Sequence, residues 1–298
     1  MATTHMQGKI CQVTGTNSGI GKATALGLAQ QGATVVMVSR DAAKGEAARD
    51  ELRAKSGNTS IDLLQADLSS QQSIHQLAET FKQRYTQLHV LINNAGGYYT
   101  QRQETLDGLE MTFAINYLAP FLLTNLLLNM LKVSAPARII NVSSAAQASN
   151  FIVMDDLQAT ANYNGWRAYG QSKLAEVLFT YELARRLQGT GVTANCLHPG
   201  FVASNFGQSN ANPIVRPLMK FFFSNLGIST EEGAKTSLYL ASSPEVEGIT
   251  GKYFVKSVPK RTAPLSYDES LQSQLWEKSE LLVRSDTRPS QSESTHHV

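Results

Sequence analysis

Tyr169 and Lys173 are the residues of this 298-residue chain whose types and spacing most directly suggest chemistry. They stand four residues apart at the start of a strongly helical stretch, SKLAEVLFTYELARRL, and this spacing places both on one face of a helix. A lysine ammonium beside a phenol favours the phenolate, which brings the pKa of a tyrosine toward the range of a general acid or base. A core tyrosine next to a solvated lysine would give the same pattern, so the pair needs support from other residues.

Residues 14–21, TGTNSGIG, form a glycine-rich turn between a strand pattern and a helix pattern. Gly15 permits a tight turn, Gly19 lets the backbone approach a pyrophosphate, and Gly21 lets the helix pack close to the strand. Unpaired N–H groups at the start of a helix attract the anion. Glycines also end ordinary strands, but a strand before and a helix after favour a dinucleotide-binding turn. The predicted cofactor contacts here are Gly15, Asn17, Ser18, Gly19, Ile20 and Gly21.

The second strand pattern ends at Ser39 and Arg40, where an NAD-binding fold usually places an acidic residue on the ribose 2′-hydroxyl. Ser39 is small and neutral, and the Arg40 guanidinium is a planar donor that suits a phosphate. We therefore expect both residues to bind the 2′-phosphate of NADP(H) rather than NAD(H). The alternative is that Arg40 pairs with Asp41 on the surface.

These residues need a sheet to bring them together, and short apolar runs alternating with longer helical patterns predict one. The predicted strands are 9–14, 34–39, 61–66, 89–93, 137–143 and 192–198, and helices are predicted at about 19–31, 42–55 and 70–85. Near-continuous apolar strands separated by helices are typical of a parallel sheet covered on both faces. The sequence thus predicts a single α/β domain over residues 1–284, built on one doubly wound sheet.

Two segments interrupt the alternation where a substrate could be held, the loop 145–167 and an apolar insert at about 200–229. The insert contains Phe221, Phe222 and Phe223 and follows the carboxyl end of a strand, where open α/β sheets bind ligands. It either covers the substrate or packs on the core. His198, at the end of that strand, is interpreted as an ordinary strand-end histidine. Residues 285–298 are polar and free of aromatic residues, so we expect them to be disordered.

The composition narrows the function classes. With 26 Lys and Arg against 24 Asp and Glu, the formal charge of +2 argues against nucleic acid as a partner. Two cysteines offer neither a disulfide framework nor a metal cluster and favour a reducing compartment. The most apolar stretch, 117–131, contains Pro120, Asn125 and Asn129 and is too short and too polar to span a bilayer. We expect a cytoplasmic protein with no integral membrane segment.

Taken together, the motifs resemble those of the short-chain dehydrogenase/reductase family, in its single-domain branch with a Rossmann sheet. They occur in the family's order over residues 9 to about 255: Thr14-Gly-x-x-x-Gly-x-Gly21, Asp67, Asn93-Asn94-Ala95-Gly96, Asn116, Asn141-Val142-Ser143-Ser144, Tyr169-x-x-x-Lys173 and Pro199-Gly200. Within the family, the phrases NVSSAAQ, AYGQSKLAEVLFTYELARRL and LHPGFV are similar to the retinol dehydrogenase-like and WW-domain oxidoreductase-like group.

The resemblance implies a role for each matching residue. Tyr169 would transfer the proton, and Lys173 would lower the pKa of Tyr169 and hydrogen-bond the nicotinamide ribose. Ser144 would hydrogen-bond the substrate oxygen, and Asn116 would hold a water of a proton relay. The further implied cofactor contacts are Asp67 and Leu68 at the adenine, Asn94, Ala95 and Gly96 near the ribose, and Pro199, Gly200 and Val202 at the nicotinamide. The resemblance also implies that residues 118–131 and the Tyr169 helix form the interface of a homo-oligomer.

The expected function is that of an NADP(H)-dependent oxidoreductase that interconverts a carbonyl and an alcohol on a fairly apolar small molecule and works as a reductase. Carbonyl reduction needs a hydride donor, a proton donor and a second donor at the oxygen, and all three are available. Retinoid is not expected as the substrate, because Tyr117-Leu-Ala-Pro120-Phe121 stands where the retinol group tends to have His-Leu-Gly-His-Phe. The alternatives are a light-driven tetrapyrrole reductase-like enzyme and a non-catalytic protein that senses NADP(H).

Overall fold

All six predicted strands are present, and two short strands extend the sheet at one edge. The structure, a computed structural model, describes residues 5–149, 151–201 and 227–284. The strands are β1 Ile10–Thr14, β2 Thr34–Ser39, β3 Ile61–Gln65, β4 Val90–Asn93, β5 Ala137–Val142, β6 Val192–His198, β7 Tyr253–Val255 and β8 Val258–Lys260. Their order is β3-β2-β1-β4-β5-β6-β7-β8, parallel except for the antiparallel β8. This order confirms the doubly wound sheet.

Helices connect the strands and cover both faces. Their bounds are α1 Gly19–Gln30, α2 Ala42–Ser56, α3 Gln71–Arg84, α4 Met111–Phe113, α5 Ala119–Val133, α6 Gly165–Arg186, α7 Thr230–Ser242 and α8 Glu269–Val283. A π-helical turn, Ala114–Leu118, joins α4 to α5. The central strands are buried over nearly their whole length, as β2 shows with every residue from Val35 to Ser39 inaccessible. This burial on both faces explains why the strands read as continuous apolar runs.

Helix α8 packs over the helices α5 and α6. The Trp276 ring lies 5.0 Å from the ring of Phe121 and 5.7 Å from that of Phe179, and the Arg186 guanidinium stands 4.2 Å from the Trp276 ring centre. These side chains of α5 and α6 belong to the face that we expected to meet a second subunit. They meet α8 of their own chain instead, and oligomer formation stays a prediction.

The apolar segment at the centre of the chain is longer than the sequence suggested. A continuous helical run of 23 residues extends from Met111 to Val133, beyond the apolar stretch 117–131 at both ends. By length and composition alone this run could cross a membrane. The most apolar 18-residue window of this run is 72% buried inside the protein, as in a core helix.

The two interrupting segments differ in how much of them the structure describes. The loop 145–167 contains two short 3-10 turns, Ala145–Ser149 and Met154–Asp156, before α6 begins. Of the insert, only its ends are described, and there Ile228 N–H donates to the Phe201 carbonyl at 2.8 Å. Phe221, Phe222, Phe223, Val202 and the tail 285–298 lie outside the described residues.

Candidate functional site

Tyr169 and Lys173 lie one turn apart near the start of α6, which Asn164 caps by accepting the Arg167 N–H at 3.0 Å. Both side chains are buried, Lys173 to 3% exposure, and the Lys173 Nζ stands 5.9 Å from the centre of the Tyr169 ring. The alternative of a solvated lysine is therefore wrong. Lys173 Nζ donates to the Val142 carbonyl at the end of β5 and to a carboxylate oxygen of Glu176, each at 2.9 Å.

Glu176 is a buried acid that the sequence analysis missed. It is 1% exposed, and burial raises the pKa of its carboxyl to about 7, against the opposing pull of Lys173. Burial also disfavours the Lys173 ammonium, but the charges of Glu176 and Tyr169 outweigh that effect and raise the pKa of Lys173. The sequence feature that points to Glu176 is its position seven residues after Tyr169, on the helix face that carries Tyr169 and Lys173.

Asn116 lies in the π-helical turn and joins the loop after β4 to α6. Its Oδ1 accepts the Gly97 N–H at 2.7 Å, and its Nδ2 donates to the Gly97 carbonyl at 3.0 Å and to the Ser172 hydroxyl at 2.9 Å. A π-helical turn often marks a functional position because the extra residue re-aims the neighbouring side chains. The relay role expected of Asn116 stays a prediction.

Ser144 follows β5 in a turn that His198 holds from the neighbouring strand. The Ser144 hydroxyl accepts the Ala146 N–H at 3.2 Å, and His198 Nδ1 accepts the Ala145 N–H at 3.2 Å. Burial lowers the pKa of His198, which favours the neutral imidazole that this hydrogen bond requires. His198 thus supports the Ser144 turn, beyond the ordinary strand-end packing that we expected of it.

The glycine turn has the shape that a dinucleotide pyrophosphate requires. Gly15 has a φ of +73°, and a Cβ on Gly21 would come within 2.2 Å of the Gly15 carbonyl oxygen and 2.4 Å of Asn94 Nδ2. Ser18 precedes α1 without capping it through its side chain, whereas the side chain of Asp41 caps α2. The first N–H groups of α1 are thereby left without a side-chain acceptor from Ser18, which fits an anionic group at this helix terminus.

The loop after β4 is tied to this turn. Thr14 Oγ1 accepts the N–H groups of Asn94 and Ala95 at 2.9 and 3.0 Å, and Asn94 Nδ2 donates to the Thr14 carbonyl at 2.8 Å. The adjoining Gly96 lies close to Asn116, because a Cβ there would stand 3.1 Å from Asn116 Oδ1 and make a tight contact. The loop thus connects the glycine turn with Asn116.

The residues expected to select the cofactor lie at the ends of β2 and β3. Ser39 is buried and donates to the Asp41 carbonyl at 3.0 Å, whereas Arg40 is exposed. The Asp41 carboxylate pairs with Lys44, whose ammonium lies 3.1 Å away, rather than with Arg40. Asp67 accepts the N–H and the hydroxyl of Ser69 at 2.9 and 2.7 Å.

The structure therefore brings most of the predicted residues to one edge of the sheet. The carboxyl ends of β1, β4, β5 and β6 adjoin the glycine turn and the proposed proton-transfer residues. These are residues 15–21, Asn94, Ala95, Gly96, Ser144, Tyr169, Lys173, Pro199 and Gly200. Ser39, Arg40, Asp67 and Leu68 extend this row at β2 and β3. The strand order reverses between β1 and β4, and the crevice outside such a reversal is where doubly wound sheets bind dinucleotides.

Comparison with known proteins agrees with this geometry. The profile of the short chain dehydrogenase family matches residues 9–213. Human retinol dehydrogenase 14 is 44% identical over 292 residues, covering 93% of this chain and 87% of its own, and mouse retinol dehydrogenase 12 is 46% identical over 256 residues, with 85% and 80% covered. The chain belongs to the short chain dehydrogenase family and is an oxidoreductase that acts on CH–OH groups.

Solved structures support the same assignment. An uncharacterized protein from Mycobacterium paratuberculosis superimposes with a TM-score of 0.74 at 31% identity, over 93% of this chain and 94% of that one. RhlG of Pseudomonas aeruginosa, in an active-site complex with NADP, gives 0.66 at 26% identity over 85% and 96%. The fold is thus one that binds a nicotinamide dinucleotide, and the glycine turn described above fits such a group.

The prediction of a cytoplasmic protein is wrong. The relatives that match most of this chain are retinol dehydrogenases, and they do not support a cytoplasmic location. The expectation had also relied on a short apolar segment, whereas the run from Met111 to Val133 is long enough to cross a bilayer by length and composition.

Proposed function

We propose that the protein is an NADP(H)-dependent oxidoreductase that interconverts a carbonyl and an alcohol on an apolar small molecule. The observation that carries the proposal is the buried Lys173 ammonium one helical turn from Tyr169, at the sheet edge that also holds the glycine turn. The NADP complex of RhlG and the names of the retinol dehydrogenases support the cofactor and the substrate class.

In the direction of reduction, the bound cofactor supplies the hydride to the carbonyl carbon. Tyr169 gives its hydroxyl proton to the carbonyl oxygen, and the Lys173 ammonium stabilises the phenolate that remains. The Ser144 hydroxyl donates a hydrogen bond to the same oxygen and stabilises the negative charge that develops there. Lys173 keeps one of its three N–H donors for the nicotinamide ribose, since the other two are used by Val142 and Glu176.

Aromatic rings around Tyr169 favour an apolar substrate. The Tyr98 ring meets the Tyr169 ring edge-on with centroids 5.9 Å apart, and the centroid of the Trp166 ring lies 6.0 Å from that of Tyr169. Trp166 is 62% exposed, so the ring presents a large apolar surface beside the proton donor. The apolar surface of a substrate that packs on the Tyr98 and Trp166 rings would be removed from water, which favours its binding.

The reaction is tested with Tyr169→Phe, assayed in the dark with a panel of apolar and charged aldehydes and ketones. We expect wild-type turnover that favours apolar substrates and at least a 100-fold loss in the variant, because general acid catalysis contributes about 10²–10⁴-fold. Cofactor binding should persist, since the ring remains. Unchanged turnover in the variant would exclude the proton-transfer role, and turnover that needs light would favour the tetrapyrrole reductase alternative.

Cofactor choice is tested by fluorescence titration of NADPH and NADH against wild type and Arg40→Ala. We expect a preference for NADPH that falls at least tenfold in the variant, because the guanidinium is the exposed cation at the end of β2. Arg84→Ala is the matched control, since it removes an exposed arginine at the far end of α3, near the amino edge of the sheet. Equal affinity for both cofactors in the wild type would remove Arg40 from the site.

A further inference from the structure

Tyr169, Lys173 and Glu176 form a row along one face of α6, at positions i, i+4 and i+7. Lys173 is the middle member, with the Tyr169 ring centre 5.9 Å from its Nζ on one side and the Glu176 carboxylate 2.9 Å away on the other. The Val142 carbonyl at the end of β5 receives a second N–H of the ammonium. The ammonium position is therefore fixed by two acceptors that belong to the protein.

The ion pair is almost completely removed from solvent, with Lys173 3% and Glu176 1% exposed. An ammonium buried to this extent is strongly disfavoured unless an opposite charge stands beside it. The Val142 carbonyl is a neutral dipole, so among the described residues Glu176 supplies the formal negative charge beside Lys173 before Tyr169 ionises.

Within the described part of the chain, the titratable groups other than Tyr169 that interact with this pair are neutral in the working range. Cys196 on β6 and Tyr253 on β7 both interact with the Glu176 charge. Burial raises the pKa of the Cys196 thiol and of the Tyr253 phenol far above neutrality, so neither can replace the carboxylate. Asn116 Oδ1 and Lys173 Nζ both lie within 4 Å of the Cβ position of Gly96, and neither Asn116 nor its partner Ser172 carries a charge.

We propose that Glu176 is a positioning residue, which holds the Lys173 ammonium beside Tyr169 and keeps this buried lysine charged at mildly alkaline pH. The proposal rests on the proposed function, because it assigns Glu176 a role through the Tyr169 and Lys173 pair. It adds a fifth residue to the four that the family resemblance implies, and this residue acts without touching the substrate or the cofactor.

The test variant is Glu176→Gln, which keeps the size of the side chain and an oxygen acceptor but removes the charge. Without the carboxylate, the Tyr169 and Lys173 pair gives up its first proton at lower pH. We therefore expect the alkaline limb of the pH profile for carbonyl reduction to move down by about one pH unit, the size of effect typical of a charge at this distance. A merely structural role would lower turnover equally at every pH.

Glu182→Gln is the matched control. Glu182 is also buried on α6, at 4% exposure, but it pairs with Arg185 and Arg186 rather than with Lys173. We expect its pH profile to stay that of the wild type. An unmoved limb in Glu176→Gln, or an equal shift in both variants, would overturn the proposal.

A measurement on the wild-type chain needs neither substrate nor a folded variant at position 176. In protein labelled with 13C at the lysine Cε, the Lys173 resonance is identified by its loss in Lys173→Arg. We expect this resonance to keep the ammonium position between about pH 7 and 9, as a lysine of ordinary or raised pKa does. Titration of Lys173 within that range would contradict the proposal, whereas retained turnover in Tyr169→Phe would contradict the proposed function alone.

Discussion

Single residues at this site are constrained by neighbours that lie far away in the sequence. The glycine turn and the Tyr169 and Lys173 pair could be predicted because their spacing is local, and they lie where the pattern indicated. The burial of Glu176 could not, since it depends on Cys196 of β6 and Tyr253 of β7 packing against α6. His198 is a similar case, because its hydrogen bond to Ala145 joins the ends of two strands.

At this scale, the constraint on Gly21 can be tested with Gly21→Ala. The new Cβ would approach the Gly15 carbonyl oxygen to 2.2 Å, and this backbone atom cannot move without opening the turn. We expect cofactor affinity to fall at least tenfold, or about 1.4 kcal/mol, in a fluorescence titration. Gly27→Ala on the same helix is the control, because its Cβ would meet the flexible tip of Leu238 and should leave the affinity within twofold.

At the scale of elements, alternating patterns predicted the strands β1 to β6 and the first helices almost to the residue. The patterns did not predict β7 and β8, because each has only three residues, too few to show a period, and β8 is exposed throughout. The run from Met111 to Val133 was underestimated for a different reason. Thr112 and Asn116 interrupt the apolar pattern at its start, and tertiary contacts keep the helix continuous.

The hydrogen bonds between Ile10 at the start of β1 and His89, just before β4, predict a dependence of stability on pH. The main-chain N–H of His89 donates to the Ile10 carbonyl at 2.9 Å, and the imidazole Nδ1 of His89 accepts the Ile10 N–H at 3.1 Å. Burial lowers the pKa of His89 below its usual 6.5, so protons bind more readily to the unfolded chain. The free energy of unfolding should therefore be fully retained above about pH 6.5 and decrease as the pH falls through the lower, folded-state pKa.

Urea unfolding of wild type and His89→Asn at several pH values checks this dependence. Asparagine keeps an acceptor but does not titrate, so we expect the variant to lose less stability on acidification than the wild type. Subtracting the two curves removes the contribution of His198, whose pKa is also lowered by burial. Parallel curves for the two proteins would contradict a role for His89 in the acid response.

At the scale of the whole molecule, the chain covers its own catalytic helix. Helix α8 lies over α5 and α6, and the Trp276 ring fills the space between Phe121, Phe179 and the Arg186 guanidinium. The sequence could not indicate this arrangement, because Trp276 follows the side chains that it contacts by 90 residues or more. The α8 contact links the stability of the fold to the helix that positions Tyr169 and Lys173.

Trp276→Ala tests whether α8 is needed to cover that face. Removing a buried tryptophan costs about 3–5 kcal/mol, so we expect a decrease of this size in the free energy of unfolding by urea. The side chains of α5 and α6 would then become accessible, and sedimentation velocity should show more self-association in the variant than in the wild type. Leu281→Ala on the same helix removes a side chain that is 64% exposed and should change the stability by no more than about 0.5 kcal/mol. A Trp276→Ala protein as stable as this control would mean that α8 contributes little to the fold, and that another part of the chain keeps α5 and α6 from solvent.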